Sequence, residues 1–150
     1  MFVTDDTPPT PHALAEIKAG MFVAQDVRFT KEKMGSFISL SKDEARIHRD
    51  LDFANEQGYD DCIVHGLMLG MSFSRLLGMY LPGEISVIRN LKLEFRKPVL
   101  VGDKVTYRVE ASKVVAAVGA VILKLSIERD GEVLVSGTSE CVFPGVAPRA

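Results

Sequence analysis

A chain of 150 residues has the length of one compact domain, and at that size about 70% of the unfolded chain's surface leaves water on folding. Hydrophobic residues make up 47% and charged residues 25%, values of an ordinary globular protein rather than a disordered one. The net charge of −2 gives no general attraction to nucleic acid or to an anionic membrane, and no apolar run approaches the ~20 residues of a membrane span.

Residues 1–12 are acidic and proline-rich, lack the basic-then-apolar layout of a signal peptide, and read as a flexible tail before a single domain over 13–150. Two cysteines, Cys62 and Cys141, make no disulfide framework, so the expectation is a reduced, cytoplasmic enzyme or binding domain. The first strand is expected over Met21–Thr30. Thr30 can cap a following helix whose buried face is Phe37, Ile38 and Leu40, although Lys33 in place of Glu or Gln leaves the capping box incomplete.

Next comes a polar stretch, Ser41-Lys42-Asp43-Glu44-Ala45-Arg46-Ile47-His48, which sets a carboxylate and an imidazole five residues apart. Asp50 fits the N-cap of a short helix and Gly58 its C′ position, with Tyr59–Cys62 as a connecting loop. The longest periodic stretch runs from Gly66 to Tyr80, with few polar positions, and reads as a helix buried on most sides that Leu81-Pro82-Gly83 ends. The rest is strand-like. Leu91, Leu93 and Phe95 share one face of Ile85–Phe95, Val105–Val109 and Val121–Ile127 alternate, Asp130-Gly131 is a hairpin signal, and Val133–Phe143 completes the set. One buried helix with a run of antiparallel strands is an α+β plan, the sheet wrapped around the helix.

Asp43-x4-His48, Ile63-Val64-His65-Gly66, Ser74, Leu81-Pro82-Gly83 and Phe95-x2-Pro98-Val99-x2-Gly102-Asp103 follow one another in the order seen in the MaoC-like dehydratases. The chain resembles that family, which includes the (R)-specific enoyl-CoA hydratases, from about Met21 to Cys141. The resemblance implies a hot-dog fold, assembled as a homodimer or higher even oligomer. It also implies a hydro-lyase acting on an acyl-CoA or acyl-carrier thioester, with no metal or redox cofactor and coenzyme A present only as part of the substrate. One motif departs. The family pattern Asp-x-Asn-Pro-x-His carries Ala45-Arg46 here in place of Asn-Pro, which removes a φ constraint and an amide.

On this reading Asp43 is the base that takes a proton from water, and His48 holds that water and relays the proton. The Gly66 N–H, at a helix N-terminus, faces the thioester oxygen where enolate charge develops. His65 holds the turn before Gly66, Ser74 hydrogen-bonds His48 or the water, and Arg46 either pairs with Asp43, receives a polar substrate group, or stays a surface residue. Arg89, Lys92, Arg96 and Lys97 form a basic strand face that can meet coenzyme A phosphates. Cys62-x2-His65 lacks the further ligands of a zinc site. The rivals are a hot-dog thioesterase using Asp43 against the carbonyl, marked by free thiol release, and a silent acyl-thioester-binding subunit.

Overall fold

The computed structural model describes residues 1–146, so the last four positions of the domain expected over 13–150 lie outside the described residues. Eight main elements follow in order. They are β1 (Phe22–Arg28), α1 (Lys31–Ser41), α2 (Leu51–Glu56), α3 (Gly66–Met79), β2 (Val87–Phe95), β3 (Lys104–Val115), β4 (Ala120–Arg129) and β5 (Glu132–Val142), with a short 3₁₀ turn at Arg46–His48. The strands make one antiparallel five-stranded sheet ordered β1-β3-β4-β5-β2, and α3 lies against it. This is the expected α+β plan of a sheet around a helix.

Local chemistry sets the element ends. Thr30 accepts the Lys33 N–H at the start of α1, and Asp50 accepts the Phe53 N–H at the start of α2. Asp130 and Gly131 both take positive φ, the requirement of the tight turn whose twist matches the flanking strands β4 and β5. The core lies between α3 and the sheet, where Phe73, Leu76 and Leu77 meet Tyr107, Val109, Leu123 and Ile127. The Tyr107 hydroxyl donates to the Leu69 carbonyl at 2.9 Å, and its burial raises the phenol well above its ordinary range.

Two expectations differ from what is seen, the buried face of α1 and the N-terminal tail. In α1 the buried pair is Met34 and Phe37, and Leu40 is 79% exposed. At 3.6 residues per turn Leu40 sits about 100° round the helix from the centre of the Met34–Phe37–Ile38 stripe. In β2 the alternation is as expected, and the burial is slight. Phe95 and Leu93 do face α3, at Gly66 and Gly70, yet the strand is an edge with hardly any side chain covered. Residues 1–12 pack on the domain instead of trailing from it. Val3 is buried, Val3 N–H donates to the Ala24 carbonyl at 2.8 Å, and the Tyr80 hydroxyl donates to the Thr7 carbonyl at 2.7 Å. Arg75 fastens this strap by donating to Gln25 Oε1 and to the carbonyls of Thr4 and Asp5. Val3 supplies the apolar side chain that composition alone conceals.

Candidate active site

The site is built where three segments meet. Main-chain pairing holds Cys62–Val64 against Val99–Val101: Val64 N–H donates to the Val99 carbonyl and Val101 N–H to the Cys62 carbonyl. Behind them Asp103 accepts from the Leu100 N–H and from Arg129, fixing the turn that the Gly102-Asp103 pair signals. Ile63, held this way, presents its carbonyl to His48 Nδ1 at 2.7 Å. A carbonyl only accepts, so Nδ1 carries the proton, and Nε2 is the nitrogen left to exchange one with a substrate or water.

Asp43 follows the left-handed Lys42 that ends α1. Its carboxylate accepts the Ala45 N–H at 3.2 Å and is half exposed. His65, the residue before α3, is 2% exposed, lies 3.1 Å from the Asp43 carbonyl through Nε2, and stacks on His48 with ring centroids 3.8 Å apart. One ligand-type atom from each of Asp43, His48 and His65 lies within 4.8 Å of the others, a separation that one water bridges with two ordinary hydrogen bonds. The two imidazole planes are only 24° apart, so their in-plane lone pairs run in nearly parallel sheets instead of meeting at one ion. The arrangement suits proton exchange better than metal ligation.

A cavity of about 320 Å³ opens beside His48. His48, Gly66, Leu69 and Phe95 wall it, and Tyr59, Arg96 and Lys97 supply its polar rim. Gly66 is the first residue of α3, so its N–H is one of those with no carbonyl partner inside the helix. An added Cβ at Gly66 lies 3.2 Å from the Phe95 ring, which explains the glycine by close approach as well as by chemistry.

Asp43, His48 and His65 are thus brought together, and Gly66 shares the cavity wall with His48 while Asp43 stays outside that lining; two expected members are not part of the cluster. Ser74 is on the exposed side of α3, and no bond joins it to His48 among the described residues. It stands one and two turns from exposed Met71 and Leu67, on the helix flank that the domain leaves uncovered. Arg46 makes neither of its inward contacts. Its guanidinium donates twice to Asp50 Oδ2, at 2.9 and 2.8 Å, and lies 4.4 Å over the Phe53 ring. The short 3₁₀ turn puts Arg46 and Asp50 one turn apart, and the helix cap already requires Asp50 there. Of the basic face, Arg89 and Lys92 pair with Glu140 and Glu94, and Arg96 and Lys97, themselves near Glu94 and Glu132, are the two that reach the cavity. Sequence reasoning missed the Ile63 carbonyl, because a main-chain acceptor leaves no side-chain signature.

The single curved sheet around α3 defines the hot-dog architecture, and the comparisons place the chain within it. Residues 14–125 match the model of the MaoC like domain, and the chain belongs to that family. It is 38% identical over 96 residues to the (R)-specific enoyl-CoA hydratase of Aeromonas caviae, covering 64% of this chain and 72% of that one. It is 29% identical over 133 residues to the mitochondrial 3-hydroxyacyl-[acyl-carrier-protein] dehydratase FERN of Solanum lycopersicum, covering 87% and 79%. The solved structure of the (R)-hydratase from A. caviae involved in PHA biosynthesis superposes with a TM-score of 0.82 at 32% identity, covering 86% of this chain and 98% of that one. Among the described residues no helix is long and apolar enough to cross a membrane.

Proposed function

We propose that this protein is a hydro-lyase that reversibly hydrates a trans-2-enoyl thioester to the 3-hydroxyacyl thioester. The observation that carries this reading is the meeting of His48, with its free Nε2, and the Gly66 N–H on one cavity wall, with the Asp43 carboxylate outside that lining but within 4.8 Å of a His48 ring nitrogen. The thioester carbonyl lies against the Gly66 N–H. A water between Asp43 and His48 adds its oxygen to the β-carbon and loses a proton to Asp43 as the C=C electron pair shifts toward the carbonyl. The Gly66 N–H at the helix N-terminus meets the enolate charge that results. Asp43 passes that proton to His48 Nε2, which delivers it to the α-carbon: the water O–H bond and the C=C π bond break, one O–C bond and one C–H bond form, and both side chains return to their starting states. No metal or redox group enters this scheme. Arg96 and Lys97, at the cavity rim and paired with Ser136 and Glu132, would turn to the phosphates of a coenzyme A or carrier arm.

Assembly belongs to the same proposal. The β1 edge is occupied, because Ala24 donates to the Met1 carbonyl and accepts from Val3. The β2 edge is open and carries exposed Val87, Leu91 and Phe95, while Leu67 and Met71 are exposed on the adjacent flank of α3. Sheet edges of this kind are paired in stable proteins. The expected state is a homodimer joined along β2, with higher even assemblies built from it.

The test uses purified protein with crotonyl- and longer trans-2-enoyl-CoA, following the conjugated thioester absorbance and free thiol in parallel. Loss of absorbance without thiol release is expected. Thiol release in step with substrate loss makes the protein a thioesterase, and tight binding with neither change makes it a silent subunit; either result overturns the reading.

A further inference from the structure

We infer that His65 is a positioning residue locked in one neutral tautomer, which anchors the Asp43 main chain and gives the His48 imidazolium a neutral ring face to form against. This rests on the proposed hydration. It assigns His65 a part in that reaction although His65 does not line the cavity.

The tautomer follows from its surroundings. His65 Nε2 faces the Asp43 carbonyl at 3.1 Å, and an acceptor there requires Nε2 to carry the proton. Nδ1 is then a bare lone pair, and it is buried with no hydrogen-bond partner among the described residues. It does not cap α3 either, although His65 occupies the N-cap position. Protonating His65 would put a second N–H, and the positive charge, at a buried nitrogen with nothing to receive it. The Asp43 carboxylate, 3.9 Å from Nε2, partly offsets the charge but offers nothing to an N–H at Nδ1. Phe37, packed at 4.8 Å between centroids, covers the ring further.

The stacked pair therefore has one member able to take a proton, His48. When His48 does so, its cation lies flat against the neutral His65 ring at 3.8 Å, where the ring's π-face attracts it. Of the other charged or titratable groups around His48, the Asp43 carboxylate lies within 4.8 Å of a ring nitrogen, and Tyr59, Arg96 and Lys97 stand across the main cavity. Lys31, Arg49, Asp61 and Cys62 line a smaller cavity on the α1 side. Arg49 is engaged with the Glu44 carbonyl, Lys97 with Glu132, and Arg96 with Ser136. None of them stacks on His48 as His65 does. An orphaned buried nitrogen is a cost to folding. Leucine or phenylalanine at this position would avoid that cost, and only a ring that also carries an N–H performs both contacts.

Two substitutions separate the two contacts. His65→Gln keeps a donor for the Asp43 carbonyl and loses the ring face. The acid limb of the kcat profile is expected to move down by about half a pH unit, because the imidazolium is less favoured. His65→Phe keeps the face and loses the donor. Its acid limb is expected to stay in place or rise while kcat drops about tenfold, with KM little changed. Nitrogen-15 histidine spectra of the unaltered protein provide a reading that needs no activity. His65 is expected as the Nε2–H tautomer, without titration between pH 5 and 8. A His65 that titrates in this range, or has its proton on Nδ1, overturns the proposal. So does an acid limb that stays fixed in both variants. Absence of hydration with a locked His65 tautomer would refute the function and leave the structural inference standing.

Discussion

The Gly66 N–H can be removed without disturbing the helix it begins. Gly66 is the first helical residue of α3, where proline is tolerated because that amide has no carbonyl partner in the helix. The residue before a proline must be extended, and His65 already has φ −56° and ψ 134°. Gly66→Pro thus deletes one donor and adds ring atoms beside Phe95. Gly66→Ala is its control, since it keeps the N–H and places a Cβ 3.2 Å from Phe95 Cζ, the far end of a side chain able to shift by a few tenths of an ångström. Losing one oxyanion donor costs about 10²–10³ in kcat, or about 2.7–4 kcal/mol of transition-state stabilisation. The proline variant is expected to fall by that factor relative to the alanine variant, which itself stays within about tenfold of the original enzyme. The assay is initial-rate loss of enoyl-thioester absorbance at saturating substrate, with circular dichroism and melting to verify folding. Equal kcat in folded alanine and proline variants would refute the role given to Gly66.

Three further outcomes follow from the structure. Arg46→Ala should leave the ratio of kcat/KM for acidic and plain enoyl thioesters unchanged, because the guanidinium is engaged by Asp50 and Phe53; a changed ratio would restore it to the site. Gly137→Ala should destabilise the fold by about 1–3 kcal/mol in urea denaturation, since a Cβ there would lie 2.1 Å from the Lys92 carbonyl oxygen across the β5–β2 pair; an unchanged midpoint would contradict that packing. Burial holds the His65 imidazole below its ordinary 6.5, with the Asp43 carbonyl partly opposing. Below pH 6.5 the unfolded chain then binds a proton that the folded one refuses. Stability present above 6.5 should decline as pH falls toward the folded value, and His65→Phe should flatten that slope in melting curves; parallel slopes would argue against it.

How much of this was legible in the sequence depends on the range of the interaction. Thr30, Asp50 and the Asp130-Gly131 pair act on their own neighbours, and each does locally what its chemistry dictates. The α3 stretch was readable because its burial follows from a long apolar pattern. The edge position of β2 was not, because alternation reports which side chains share a face and not whether anything covers it. Residues 1–12 failed for the opposite reason: their strap depends on Arg75 and Tyr80, some 70 residues away. At the site, Asp43, His48 and Gly66 were found through their motif and converge in space. Ser74 was assigned to the same cluster, but helical spacing turns it to the outer flank. Arg46 was drawn off by Asp50, a competitor that the spacing of four residues does reveal once the turn is known to be helical.

The central claim is that Asp43 and His48 together add water to the enoyl thioester. Its most direct test is the turnover of crotonyl-CoA by Asp43→Asn and His48→Ala, each compared with the unaltered chain at the same protein concentration. Each is expected to fall at least ~10²-fold in kcat while melting and sizing behaviour stay the same, since Asp43 is half exposed and His48 only partly covered. A folded Asp43→Asn protein that hydrates crotonyl-CoA at a near-normal rate would contradict the account.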